Sequence, residues 1–296
     1  MFDGGRSVAA ALGIVTPSRT RGRAISGAVA GVLDAVSYLG VRPFRATART
    51  TRRLMAFGLI VLATTLTKFA RSRAVVHPLI WGQIRRAGVG LLPFVGVLSV
   101  MTGFVLIGQT AALLGQVGAA KLLGPVLVVG LFRELAPLAT ALLVLMRIGT
   151  ATVVELATMR ATGEVEALEA LNIDPIHFLV MPRVLGLALS VFCLTVYFLI
   201  GSLLSGYFFC FVQQLPLTPT EYLDQIAQAL EWQDLLLLVL KTIGFGAAMA
   251  VITCYQGLAR PLGLEQVPEA TTRAVTHTVM ACVVLDMSFL ALYLLL

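Results

Sequence analysis

Five long apolar runs, at roughly 89–114, 126–147, 184–212, 235–257 and 275–296, dominate the pattern of the chain. A bilayer crossing takes about 20 apolar residues, so each run predicts a transmembrane helix. A sixth run, Leu54–Leu66, lies between Arg52-Arg53 and Lys68. It is short for a crossing and basic at both ends, which predicts a helix lying in the membrane interface; were it to cross, every later segment would invert. The polar stretch 148–183 is not featureless. On a helical wheel Glu155, Thr162, Glu166 and Glu169 share one stripe, with Leu156, Ala157, Ala161, Ala167, Leu168 and Leu171 opposite. This predicts an amphipathic helix with a bend or break at Gly163, an end at Asn172 and a new start at Asp174-Pro175. The expected fold is an all-α integral membrane protein of five transmembrane helices. An N-terminal interfacial elbow helix within 51–88 and a helix pair under the membrane complete it. A basic arm over 1–50, poorly ordered or amphipathic, precedes them.

Composition supports this class. The chain is 58% hydrophobic and 12% charged, with a mean hydropathy of +0.92, far more apolar than a soluble domain. A net charge of +7 invites a nucleic-acid reading. Its placement argues against one: fourteen of the 22 Lys and Arg precede residue 90, as a cytoplasmic, membrane-facing segment requires. The loop 213–234 carries Glu221, Asp224, Glu231 and Asp234 and no basic residue, whereas Arg147, Arg160, Arg183, Arg260 and Arg273 flank the other two connections. The positive-inside rule then places the N-terminus, 148–183 and 258–274 in the cytoplasm and the C-terminus outside, with Lys121 a mild exception. Ser7–Val15 makes no convincing signal peptide, and the Arg-rich, acid-poor first 25 residues only faintly resemble a transit peptide. Cys193, Cys210, Cys254 and Cys282 sit in apolar runs without metal spacing and are expected to act as small buried hydrophobes.

Ionisable side chains inside spans are costly and point to function. Four qualify: Arg133, Glu134, Lys241 and Asp286. Counting at 1.5 Å per residue puts Glu134 about 13 Å, Lys241 about 10 Å and Asp286 about 15 Å from the outer ends of their spans. Arg133 and Glu134 point about 100° apart and cannot simply pair with each other. Glu134 or Asp286 with Lys241 is the expected pairing, as a polar layer lining or flooring an outward-facing cavity. The blander alternative is an ion pair that only fixes helix register. Small residues at Gly201 and Ser205, Ser202 and Gly206, and Gly244 and Ala248 predict close helix packing. No Walker motif, catalytic triad, zinc motif or selectivity filter occurs, so no enzymatic activity, cofactor or metal is expected, and an ATPase driving this chain would be a separate polypeptide.

The runs Arg133-Glu134-Leu135-Ala136-Pro137, Arg147-Ile148-Gly149, Glu155-Leu156-Ala157-Thr158-Met159-Arg160-Ala161-Thr162, Asp174-Pro175 and Ala270-Thr271-Thr272-Arg273-Ala274-Val275, with Asp286, resemble the MlaE/YrbE permease family over roughly 80–296. Met146 and Gly163 depart from the residues common there. The resemblance implies the permease subunit of an ABC-type lipid transporter in a bacterial inner membrane, moving phospholipid or a related lipid between inner and outer membranes. It implies a homodimer with an ABC ATPase, a small STAS-domain subunit and a periplasmic MCE-domain protein as partners. It maps coupling to the ATPase onto Arg147, Glu155, Arg160, Glu164, Glu166, Glu169 and Asp174, and a polar cluster near the lipid cavity onto Arg133, Glu134 and Lys241. The alternatives are a secondary transporter, for which no inverted repeat stands out, and a non-transporting scaffold for the MCE partner.

Overall fold

A computed structural model describes residues 56–59, 61, 73–213, 218–258 and 264–295. The basic arm expected over 1–50, most of Leu54–Leu66 and residues 259–263 lie outside the described residues. Within them the chain is almost wholly helical and contains no strand. The helices are α1 (Arg73–Ala87), α2 (92–116), α3 (Leu123–Ala161), α4 (Glu164–Ala170), α5 (Ile176–Val212), α6 (Pro219–Ala229), α7 (Trp232–Leu258) and α8 (Val267–Leu295). Five stretches are long and apolar enough to cross a membrane: Pro78–Gln116, Leu123–Ala161, Ile176–Val212, Trp232–Leu258 and Val267–Tyr293.

These helices run past the apolar segments that announce them. α3 continues through Arg147 to Ala161, and α5 begins before Arg183. A charged side chain ends an apolar run but not a helix, because Arg and Glu are good helix formers. Short π-helical segments interrupt α2 at Gly103–Ile107, α3 at Val128–Leu135 and Leu145–Gly149, and open α5 at Ile176–Val180. Such bulges shift the side chains that follow around the helix and recur at functional sites.

α5 is the central post, packing against α1, α2, α3 and α7, while α8 leans on α7 and α3. Lipid chains are as apolar as leucine, so close packing and interhelical hydrogen bonds hold such a bundle together. α2 and α5 meet almost backbone to backbone. A Cβ on Gly103 would lie 2.0 Å from Ser205 Oγ and 2.2 Å from Ser202 O, and Ser202 Oγ donates to Ser99 O at 3.0 Å. Thr140 and Thr195 hydroxyls join α3 to α5 at 2.6 Å. The expected Gly244 contact is ordinary, its nearest neighbour Phe289 at 3.9 Å; the tight crossing of α7 falls at Gly246, where a Cβ would meet Ala188 Cα at 2.6 Å. Cys210, Cys254 and Cys282 are buried, as small hydrophobes should be, but Cys193 is exposed on the bundle surface.

The short helix α6 opens on a reciprocal cap: the Glu221 amide donates to Thr218 Oγ1, and the Thr218 amide donates to Glu221. It packs on the start of α3, where a Cβ on Gly124 would lie 2.2 Å from Gln225 O, and Tyr222 ties it to α5 by donating to Leu203 O at 3.3 Å. Burial pushes the Tyr222 phenol above its ordinary range, and Cys210 beside it adds to the shift. Residues 56–59 and 61, the described part of the short apolar run, lie against α7. Phe57 sits edge-on to Tyr255 at 5.6 Å, and Val61 is buried.

Candidate functional site

Four helical turns around Glu134 bring together every intramembrane charge singled out above, and add one more. Lys241 on α7 is almost fully buried. Its ammonium lies 2.6 Å from Asp286 Oδ1 on α8 and 3.2 Å from Glu134 Oε2 on α3, and donates to the Arg133 carbonyl at 2.7 Å. The depth count placed these three groups on one level, and the helices join them there. Lys241 therefore bridges both carboxylates rather than choosing one.

Arg133 turns the other way, to a partner the sequence left among loop acids. Its Nε lies 2.7 Å from Asp234 Oδ1, and its Nη2 donates to Asp234 Oδ2 at 3.2 Å. One charge-assisted hydrogen bond and a second close contact thus join guanidinium and carboxylate. Asp234 is buried in the first turn of α7 and also accepts from the Glu231 amide, where a negative charge complements the helix N-terminus. The guanidinium carbon sits 3.8 Å from the centre of the Tyr293 ring, a cation–π contact contributed by the last turns of α8. Asp234 and Lys241 lie two turns apart on α7, so the neighbours Arg133 and Glu134 clamp that helix at two levels.

The cluster counts three carboxylates and two cations. Most of it is buried, but the Glu134 side chain retains 36% of its exposure. Phe132, Leu237, Leu238, Phe289 and Leu290 complete the walls of a small cavity of about 30 Å³, the share of one water molecule. That cavity has no room for a lipid chain, and anything larger meets the cluster at Glu134 from outside.

The second set of residues lies about 30 Å along α3 from Glu134. The break expected at Gly163 is present, and it divides the acidic stripe between two helices. α3 ends at Ala161, Gly163 adopts φ +80°, and α4 starts in a new direction. The acids then find separate partners. Glu155 pairs with Arg183 at 3.1 Å and faces Arg86 at 3.9 Å. Arg160 draws Glu166 to 3.2 Å and Glu169 to 4.0 Å. Glu164 accepts from the Thr162 hydroxyl at 3.2 Å. Asp174 accepts the Ile176 amide at 3.1 Å and opens α5, as its position before Pro175 suggested. Asn172 holds φ 59° at the end of α4. Arg147 is exposed. What this connection presents outward is its tip, where Leu171 is 71% and Ile173 39% exposed. The helical wheel sets Leu171 opposite the acidic stripe and gives Ile173 no role. Their flanking helix-ending Asn172 was the available signal for a protruding turn.

Among the described residues no cluster of His, Cys, Asp and Glu could hold a metal ion. The family profile described as Permease MlaE matches residues 80–292, which contain both sets of residues. A probable ABC transporter permease protein of Rickettsia felis is 32% identical over 234 residues, covering 77% of this chain and 89% of the relative. The corresponding protein of Rickettsia prowazekii is 33% identical over 221 residues, 72% of this chain and 84% of its own. One from a Synechocystis strain is 34% identical over 179 residues, 60% and 68% respectively.

Proposed function

The chain belongs to the MlaE permease family and is an ABC transporter permease, a multi-pass membrane subunit that works with a separate ATPase; from that premise we propose that it moves phospholipid or a related lipid between the inner and outer membranes of a bacterium. In this reading two copies form the pathway in the inner membrane, with N-termini cytoplasmic and C-termini periplasmic. A STAS-domain subunit accompanies the ATPase, and an MCE-domain protein receives or delivers the lipid on the periplasmic side.

The observation that carries this reading is the buried, multiply paired Arg133–Asp234 and Glu134–Lys241–Asp286 cluster with one carboxylate left partly open. Five charges held in an apolar bundle are expensive unless they serve a pathway or a switch. An exposed apolar face on α2 favours a lipid cargo and a second copy. Phe94, Val97, Met101 and Val105 recur at three- and four-residue intervals on α2, and all are exposed, giving a continuous face for acyl chains or for helix packing. The cluster itself spans α3, α7 and α8, so a tilt of one helix against the others changes its pairing.

Coupling runs through the 161–176 connection. The exposed Leu171–Ile173 tip docks on the ATPase, as an apolar knob fills a pocket, and the Arg160 pairs with Glu166 and Glu169 hold α4 rigid behind it. Glu155 with Arg183 transmits the push from α3 to α5, Asp174 fixes the start of α5, and Arg147 and Glu164 supply charge at the rim. Purification in mild detergent followed by mass spectrometry of bound subunits and lipids tests the proposal. An ATPase and phospholipid should co-purify, and finding neither would overturn it.

A further inference from the structure

A second cavity, of about 210 Å³, lies between α1, the last turns of α3 and the start of α5, far from the Lys241 cluster. Its polar wall is Gln83, Arg86, Glu155 and Arg183, with Leu79 and Phe178 among the apolar lining. The two guanidiniums share one carboxylate oxygen: Arg183 Nη2 is 3.1 Å and Arg86 Nη1 3.9 Å from Glu155 Oε1. The wall therefore carries an uncompensated positive charge. The Arg183 side chain is nine-tenths buried, and its Nη1 has no hydrogen-bond partner. A buried charged donor left unpaired is costly, and such groups mark places where an acceptor from elsewhere completes the network.

Size and position narrow the acceptor. The volume is worth about seven waters at roughly 30 Å³ each, enough for a phosphate ester but too little for a two-chain lipid. Trp81 on α1, next to the Gly82 rim, is 60% exposed, and tryptophans of spanning segments collect at headgroup level. Basic pockets between membrane helices hold anionic headgroups by this chemistry.

We propose that this cavity is a fixed site for the headgroup phosphate of an anionic membrane lipid, gripped by Arg86 and Arg183 and separate from the transported cargo. It does not rest on the cargo reading above. Arg183 supplies the buried donor, Arg86 closes over the phosphate from the exposed side, and Glu155 competes with the ligand for both. Occupancy ties α1, α3 and α5 together at the root of the 161–176 connection.

The test is native mass spectrometry of the full-length protein, with any co-purifying subunits, titrated with phosphatidylglycerol, phosphatidylcholine or inorganic phosphate. The wild type should hold one phosphatidylglycerol per chain at least about tenfold tighter than phosphatidylcholine. One surface charge near lipid headgroups is worth about fivefold, so Arg86→Gln should weaken binding by that factor and Glu155→Gln should strengthen it by about the same. Arg183→Gln should weaken it further. Should Arg183→Gln fail to fold, the exposed Arg86 and Glu155 carry the decision. Equal binding of the two lipids, or wild-type binding in both the Arg86 and Glu155 variants, overturns the site. Inorganic phosphate that binds as tightly as the lipid overturns the lipid source in favour of free phosphate.

Discussion

Lys241→Met is the sharpest probe of the charged cluster. Methionine refills most of the aliphatic volume, so the packing loss is small. What disappears is the ammonium that lies 2.6 Å from Asp286 and 3.2 Å from Glu134. Three carboxylates then face one cation in a buried setting. Removing one partner of a buried ion pair costs about 3–5 kcal/mol, because the remaining charge loses both water and its counter-charge. For a chain of this size, about 2–4 °C of melting temperature goes with each kcal/mol, so Lys241→Met should melt roughly 6–20 °C below the wild type. The companion is the triple variant Lys241→Met, Glu134→Gln, Asp286→Asn, which removes the charges together. Replacing a whole buried ion-pair network by hydrophobic residues of similar volume is often nearly free, and neutral Gln and Asn leave no unpaired charge, so the triple variant should recover much of the loss. Thermal unfolding in mild detergent, followed by size-exclusion chromatography, measures both. A single variant that melts within about 2 °C of the wild type, or a triple variant as unstable as the single one, would refute the reasoning. Lipid transfer by the refolded triple variant at the wild-type rate would leave the cluster only a role in helix register.

Exchanging the charges, as Glu134→Lys with Lys241→Glu and with Asp286→Asn to spare the new glutamate, should restore folding but not transport; full transport would again favour the register role. Gly163→Ala forces a left-handed backbone on a residue with a Cβ, which costs about 1–2 kcal/mol, and should lower both melting temperature and ATPase stimulation while Gly163→Asn lowers them less. Gly103→Val should abolish stable expression, since even a Cβ there would collide with Ser205 and Ser202 across the α2–α5 crossing. Leu171→Asp lies on an exposed tip, so it should leave melting unchanged while ATPase co-purification falls at least about tenfold, as loss of an interface anchor does.

The apolar runs alone carried the number of spanning helices, because lipid demands continuous apolar helices and little else has that length. The level of Lys241, Glu134 and Asp286 was also legible, since rise per residue turns sequence position into depth. Asp234 was not, because it follows a run of loop acids and looks like the last of them; only the approach of α3 shows that it is buried under Arg133. Tyr293 gave no signal either, as an aromatic near the end of an apolar helix is ordinary. The break at Gly163 was legible from the glycine, but its consequence for the stripe was not: a helical wheel carries one axis across Gly163, whereas the positive φ there starts a second one, after which Arg160 gathers Glu166 and Glu169 from the new helix.

The way the cluster is spread along the chain also sets a timetable for its synthesis. Arg133 waits 101 residues for Asp234, and Glu134 waits 107 for Lys241; at ribosomal speeds of about 5–20 residues per second, each lone charge spends several seconds in or beside the insertion machinery. Lys241 arrives to a carboxylate already in place, so the first four spans can settle as an electrically tolerable unit. Asp286 comes last, on the spanning helix with the least buried window, and its ion pair with Lys241 is one of the contacts that hold that segment against the bundle. A chain that stalls before α8 would therefore leave a nearly complete bundle with an open flank, recognisable to quality control by what it still lacks.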